Sequence, residues 1–329
     1  IVPTTYYATP TEAYREAGIG LTIWANHNPR AAIGAMRDVS ARIFRDQSLA
    51  SIEKSVVSVA DVFAIAGNAE LAEAEKRYLP GDADKARAIV LAASRGAELG
   101  ELTEDRPKCM IDVRGQPLLR RLTDTFKAAG VRDVTVVRGY KKDAINLPSI
   151  DVVDNDPYAT TGEAASLACA IERLKGDAVI AYGDILFRQY YLDQLLAAEG
   201  DIVVAVDELW ESRHVRDGAV RDFVQCSRPF SGDYLDDEPV TLARMTNDVT
   251  ADGIDGEWIG LARLSAKGAG RVAAELKAMR ADGTLPKASL LELFTRLALA
   301  GDAVRVLYVP GQWMDVDDAA DLTAAGRFL

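Results

Sequence analysis

Histidine is nearly missing from this sequence: His27 and His214 are the only two in 329 residues, and they stand far apart. Neither a zinc cluster nor a Cys–His dyad can be assembled from so few. Cysteine is almost as sparse. Cys109, Cys169 and Cys226 share no C-x-x-C spacing, so they read as isolated thiols of a reducing cytoplasm rather than a disulfide framework. No window approaches 18 uncharged apolar residues, so no membrane span is expected, and no secretory signal is expected either. Basic residues are the minority charge, 38 Lys and Arg against 50 Asp and Glu, for a net charge of −12. A nucleic-acid partner would need a basic face to neutralise its phosphates. Only a local basic pocket for a small anion remains open, and a cytoplasmic enzyme is the expected class.

What is present is an ordinary globular mixture, 49% hydrophobic and 27% charged. A single core rarely grows far beyond about 250 residues, so two domains are expected. The chain opens with Ile1 and a strand-like run through Tyr7, which reads as the tail of a longer protein. A short buried strand, Ile19–Ala25, is expected next, with Thr11 placed as a cap and helices over Pro29–Phe44, Ser58–Ile65 and Ala69–Tyr78. Such a set cannot enclose a core alone and is expected to be the closing part of a larger α/β barrel. Leu79-Pro80-Gly81-Asp82 marks a break. Beyond it, strand-like runs at Ala86–Ala92, Asp133–Arg138, Ile150–Asp154, Ala178–Ala181 and Ile202–Val206 alternate with helical ones. This repetition predicts an α/β fold with a mainly parallel sheet flanked by helices. Asp207 to Gly256 is hairpin-like, helices return, and Val304–Val309 is a last strand. The expected domains are 1–80 and 81–329.

Two features carry chemistry. After the first strand comes Leu91-Ala92-Ala93-Ser94-Arg95-Gly96-Ala97-Glu98-Leu99, which leads to Pro107-Lys108. Small residues there let the backbone approach a triphosphate, with free N–H groups facing phosphate oxygens. Lys108 brings a mobile point charge. The run is neither G-x-G-x-x-G nor a Walker loop, and an ordinary βα loop with a surface lysine would look similar. Asp184 stands at the carboxyl end of a strand, where α/β sheets bind ligands. Asp315 and Asp317 follow the last strand. Two carboxylates converging from distant segments suit Mg²⁺, which takes hard oxygen ligands. On the other reading, Asp317 or Asp318 merely caps the terminal helix. The helix start Thr161-Gly162-Glu163 could present its amides to an anion or a base edge.

Residues 88–119 resemble the LAAGxGxR…T…PK…GxPLL signature of nucleotidyltransferases acting on sugar phosphates, phosphocholine and phosphonates, and the likeness runs over about 85–329. It implies a Rossmann-like nucleotidyltransferase sheet and a Mg²⁺-dependent transfer. Leu91, Ala92, Ala93, Ser94, Arg95, Gly96, Glu98 and Lys108 become the nucleotide-phosphate loop. Gly183-Asp184 matches the family's GD motif and Asp315-Val316-Asp317 its late D-x-D element. By that carry-over Lys108, Asp184 and Asp317 are catalytic, Asp184 and Asp317 hold the metal, and Asp315 contacts metal water or acceptor. Gly139-Tyr140 matches the GY element near the base. Ser166 and Glu163 stand where base and acceptor contacts are placed, and Glu257 and Trp258 match the E-x-x-G strand beside the acceptor. Ser94 departs from the usual glycine and Glu98 from the usual arginine, a loss for which Arg95 can compensate.

The run from Pro3 to Tyr7, Trp24-Ala25-Asn26-His27-Asn28, Asp46-Gln47-Ser48-Leu49 and Lys76-Arg77-Tyr78-Leu79-Pro80 resemble the C-terminal end of phosphoenolpyruvate mutase, an α/β barrel of the isocitrate lyase superfamily. The mutase's metal and gating residues lie in the earlier part of that barrel, so none is carried over. His27 reads either as catalytic or as structural at a strand end. Together the two parts resemble the bifunctional phosphoenolpyruvate mutase/cytidylyltransferases of fosfomycin biosynthesis. That resemblance implies CTP as donor and 2-hydroxyethylphosphonate as acceptor, and by analogy a homo-oligomer through the barrel part. Two alternatives stay open. The acceptor is 2-aminoethylphosphonate or phosphocholine, its ammonium met by Tyr158, Trp258 and Asp315, or the domain binds nucleotide without catalysis and supports the mutase.

Overall fold

A computed structural model describes residues 2, 7–58, 61–62, 65, 86–213, 219–233, 235–236 and 238–328. The chain divides into two compact units, Ile1–Leu79 and Pro80–Leu329. Among the described residues no helix is long and apolar enough to cross a membrane.

The first unit contains helices α1 (Thr11–Glu16) and α2 (His27–Asp46). Its described residues include no strand, so the expected barrel strand at Ile19–Ala25 is corrected: that stretch is irregular and mostly exposed. A lone strand has no neighbour to satisfy its N–H and C=O groups, and apolar side chains alone do not hold it extended. Thr11 is the first helical residue rather than the cap, which falls on Pro10. His27 opens α2 with its ring edge-on to Tyr7 at 5.1 Å. The helix expected over Ala69–Tyr78, half of that over Ser58–Ile65 and the break at 79–82 lie outside the described residues.

In the second unit β1 (Arg87–Ala92) leads to a hairpin of β2 (Asp112–Val113) and β3 (Gln116–Pro117), then α3 (Leu118–Ala128). Strands β4 (Val134–Arg138) and β5 (Asp151–Asp154) precede α4 (Glu163–Cys169). Next come β6 (Ala178–Tyr182), β7 (Ile185–Phe187), α5 (Gln189–Ala197) and β8 (Ile202–Asp207). The hairpin-like region supplies β9 (Phe223–Cys226) and β10 (Leu242–Thr246), followed by the long β11 (Gly256–Leu264). Helices α6 (Ala266–Ala281) and α7 (Leu290–Leu299), strands β12 (Val304–Val309) and β13 (Trp313–Asp315), and α8 (Ala319–Phe328) close the chain. The predicted α/β architecture is present.

β5, β4, β1 and β6 run parallel in that order. β11 adds antiparallel to β6, β8 pairs antiparallel with β11, and β12 pairs parallel with β8. Alternation along β1 shows why so apolar a strand is central. Ile89 and Leu91 enter one core with α4, α6 and α7, while Ala88, Val90 and Ala92 enter the other with α3 and α5. A strand covered on both faces has no polar positions to spare. The β11 strand bulges against β8 between Trp258 and Ala262. Gly260 sits there at φ +76°, where an added Cβ would fall 2.6 Å from the Tyr182 ring.

Candidate active site

The carboxyl edge of β1, β4 and β6 is where the small residues gather, and close approach explains them. Gly183 donates its N–H to the Leu91 carbonyl at 2.9 Å, and Tyr140 donates its N–H to the Ala93 carbonyl at 2.9 Å. A Cβ on Gly183 would lie 2.9 Å from that of Ala92, and one on Gly139 would lie 2.6 Å from the Ala93 oxygen. Gly96 takes a left-handed φ of +72° and packs on the stem of Lys108, with an added Cβ at 2.8 Å. The loop is therefore folded around the lysine, whose own N–H donates to the Arg95 carbonyl at 3.2 Å.

Lys108 is 7% exposed. Its ammonium lies 2.7 Å from Asp184, just past β6, and also pairs with Asp317, just past β13. Burial would lower the lysine pKa, but the two carboxylates outweigh it and hold the ammonium above its ordinary value. The helix cap expected of Asp317 or Asp318 falls to Asp318. Asp318 accepts the N–H groups of Ala320 and Asp321 at 2.8 and 2.9 Å and caps α8, which leaves Asp317 turned to Lys108.

Beside this triad opens a cavity of about 290 Å³, lined by Leu91, Ala93, Ser94, Glu163, Ser166, Asp184, Glu257, Asp315 and Asp317 among others. Ser166 accepts from Asn155 Nδ2 at 2.9 Å, and buried Asn155 also donates to Thr161. Glu257, 2% exposed, joins Arg213 at 2.9 Å and Arg221. Arg213 lies 3.9 Å over the Trp313 ring and also pairs with Asp315. Burial pushes the Asp315 carboxyl up to about 6 against Arg213, with Asp317, Asp184 and Glu257 adding to the rise.

The other expected residues differ in exposure. Arg95 and Glu98 are exposed, Arg95 stacking 5.5 Å over Tyr140. Gly139 and Tyr140 shape the loop behind the cavity rather than lining it. The Trp258 indole is core: it is 1% exposed, packs edge-on to Tyr182 and Phe294, and donates to the Leu261 carbonyl at 2.9 Å. Trp258 is nevertheless among the residues that line the cavity. At the start of α4, which lines the cavity, the Gly162 and Ala164 amides already donate to the carbonyls of Pro286 and Ala288. The sequence reading missed Asp222, Arg213 and Arg221, which lie in the hairpin-like region without a motif. Asp222 lines the cavity and accepts from Asn247 at 3.0 Å and from the Tyr182 hydroxyl at 3.4 Å. Burial pushes its carboxyl up to about 7; the Asn247 bond opposes the shift, and the Glu163 and Glu257 charges add to it.

Residues 88–249 match the family model of the MobA-like NTP transferase domain. The phosphoenolpyruvate phosphomutase of Tetrahymena pyriformis is 47% identical over 79 residues, 24% of this chain and 26% of that protein. The CTP:phosphoglutamine cytidylyltransferase of Campylobacter jejuni is 24% identical over 255 residues, 71% of this chain and 97% of that protein. The CMP-5'-(3-aminopropyl)phosphonate synthase of Streptomyces rubellomurinus is 32% identical over 168 residues, 46% of this chain and 27% of that protein. The chain thus spans about a quarter of the mutase and about a quarter of the phosphonate synthase. Among solved structures, the inositol-1-phosphate CTP transferase of T. maritima shares the fold, with a TM-score of 0.57 at 17% identity over 74% of this chain and 96% of that one.

Proposed function

We propose that the second unit transfers CMP from CTP to a phosphonate and releases pyrophosphate. The observation that carries this reading is the Lys108 ammonium held between Asp184 and Asp317 at the carboxyl edge of a parallel sheet. A phosphonate oxygen attacks the α-phosphorus of CTP and forms a P–O–P anhydride, while the bond from that phosphorus to the bridging pyrophosphate oxygen breaks. The attacking oxygen is already ionised near neutral pH, so no general base is needed. What must be overcome is repulsion between anions, and this chain answers it with charge and position. Lys108 turns from the carboxylates to the phosphates, and Gly96 and Gly183 let the backbone come close.

Two carboxylates that reach one cation form a hard oxygen donor set. Among the described residues no group of three His, Cys, Asp or Glu side chains converges, which leaves further positions to phosphate oxygens and water, the manner in which Mg²⁺ is usually held. Asp184 and Asp317 would hold it, and when bound it supplies charge neutralisation at the phosphates.

For the acceptor, the reading of 2-hydroxyethylphosphonate is supported by the likeness of the first unit to part of a phosphoenolpyruvate phosphomutase. A second reading, an aminoalkylphosphonate, is favoured by Glu163 and Asp222, which line the cavity and have no ion pair among the described residues. The relative from S. rubellomurinus is named for such a compound. One panel tests both. The protein and Mg²⁺ are incubated with each nucleoside triphosphate and with 2-hydroxyethylphosphonate, 2-aminoethylphosphonate or phosphocholine, and pyrophosphate is measured. Release confined to CTP with a phosphonate is the expected result. No release with any pair rejects transfer and leaves a binding domain.

A further inference from the structure

Asp207, the last residue of β8, is buried at 1% exposure and is joined by no cation among the described residues. Its carboxylate instead accepts three neutral donors: the Leu209 amide, the Gly311 amide and the Trp313 indole N–H, each at 2.9 Å. Two of these belong to the turn between β12 and β13. That turn is strained, since Gly311 and Gln312 both adopt left-handed backbone, at φ +64° and +53°, and Gln312 is not glycine. The Tyr191 hydroxyl donates to the Gly311 carbonyl at 2.8 Å and holds it from the other side.

The strand that leaves the turn carries the acidic residues. β13 pairs with β7 through Trp313, Met314 and Asp315, and Asp317 follows. Trp313 also supports Arg213, which pairs with Asp315.

We propose that Asp207 is a positioning residue for the transfer: it clamps the Gly311–Trp313 turn and so sets where Asp315 stands against Arg213 and Asp317 against Lys108. The inference rests on the proposed transfer for its kinetic part only. A buried carboxylate without a cation is costly unless its lone pairs are used, and here they hold one strained turn.

Asp207→Asn tests this in the full chain. The amide keeps an oxygen for Gly311 and Leu209 but sets its NH₂ against the Trp313 N–H, donor against donor. The expected result is a kcat lower by about tenfold or more at a temperature where the variant is folded, with KM for CTP within about threefold and a melting temperature lower by a few degrees. Trp313→Phe removes the opposing donor, so the double variant should be no slower than the slower single one. Hydrogen exchange at Gly311 and along β13 should accelerate about tenfold or more in Asp207→Asn, while β1 exchange stays unchanged. Unchanged exchange overturns the clamp, as does a loss of turnover that merely follows a lowered melting temperature. A wild-type chain that releases no pyrophosphate would sink the transfer reading instead, and exchange alone would then decide the clamp.

Discussion

The Lys108 ammonium lies 2.7 Å from the Asp184 carboxylate, and Asp317 closes on the same nitrogen from near the other end of the chain. One buried cation thus pairs with two carboxylates that follow separate strands, leaving the trio with one negative charge in excess. Truncating the lysine leaves both carboxylates unpaired in a poorly solvated place, at a cost of about 3 kcal/mol or more. On the proposed transfer it also removes a charge that meets the phosphates, whereas truncating Asp184 removes a proposed metal ligand. Lys108→Ala and Asp184→Ala should each lower turnover about a hundredfold or more, equivalent to about 2.7 kcal/mol of transition-state stabilisation. Pyrophosphate release per mole of folded protein is the measurement. Near-normal turnover in either variant rejects the role assigned to that residue.

The proposed Mg²⁺ site is tested by removing the metal. If Asp184 and Asp317 hold Mg²⁺ during transfer, EDTA should abolish pyrophosphate release and excess Mg²⁺ should restore it. Without chelator, Asp317→Asn should raise the Mg²⁺ concentration needed for half-maximal rate, because a neutral amide binds a hard cation more weakly. Full activity after dialysis against EDTA would leave Lys108 as the cation of the site.

How much of this was legible in the sequence depends on the distance over which the signal acts. The β1 strand and its loop were readable because a doubly buried strand is apolar throughout and a close backbone approach demands small residues such as Gly96 and Gly183. Asp184 was readable because strand ends are predictable. The Asp317 pairing needed the tertiary fold, since Asp317 and Asp318 are chemically alike and only the start of α8 separates their tasks. Arg213, Arg221 and Asp222 left no local signature: what places them is the antiparallel addition of β9 and β11, a long-range pairing. Trp258 was legible only in part: it lines the cavity with Glu257 and Gly260, while its packing on Tyr182 and Phe294 depends on the tertiary fold. The barrel strand at Ile19–Ala25 failed because apolar periodicity cannot supply strand partners.

The Asp222 carboxyl predicts a pH dependence of stability. Its folded pKa of about 7 stands above the ordinary value of 3.8, chiefly through burial. A carboxyl raised in this way stabilises the fold fully below its unfolded pKa and loses that contribution as pH rises through the folded value. Asp315, raised to about 6, acts in the same direction. Between about pH 4 and pH 7 the chain should therefore lose stability on the order of a few kcal/mol. Asp222→Asn keeps groups that can bond Asn247 and Tyr182 but removes the titration. Urea unfolding at pH 5 and pH 8 should show a smaller difference in the variant than in the wild type, and an equal difference would refute the raised pKa.

Acceptor choice is the sharpest use of the acidic wall. Glu163 and Asp222 face the cavity from different elements, α4 and the approach to β9. An ammonium placed between them would be paired with carboxylates in a partly desolvated site, where such contacts are stronger than in water. A hydroxyl there would leave at least one carboxylate without a partner. Glu163→Gln should thus raise KM for 2-aminoethylphosphonate about tenfold, close to the 1.4 kcal/mol of one charge-assisted contact. KM for 2-hydroxyethylphosphonate should stay unchanged or fall, since the neutral amide repels no phosphonate anion. Competition between the two acceptors for wild type and variant reads this directly. If Glu163→Gln shifts both acceptors equally, the acidic wall serves the nucleotide or the fold, and the hydroxyethyl reading keeps its place.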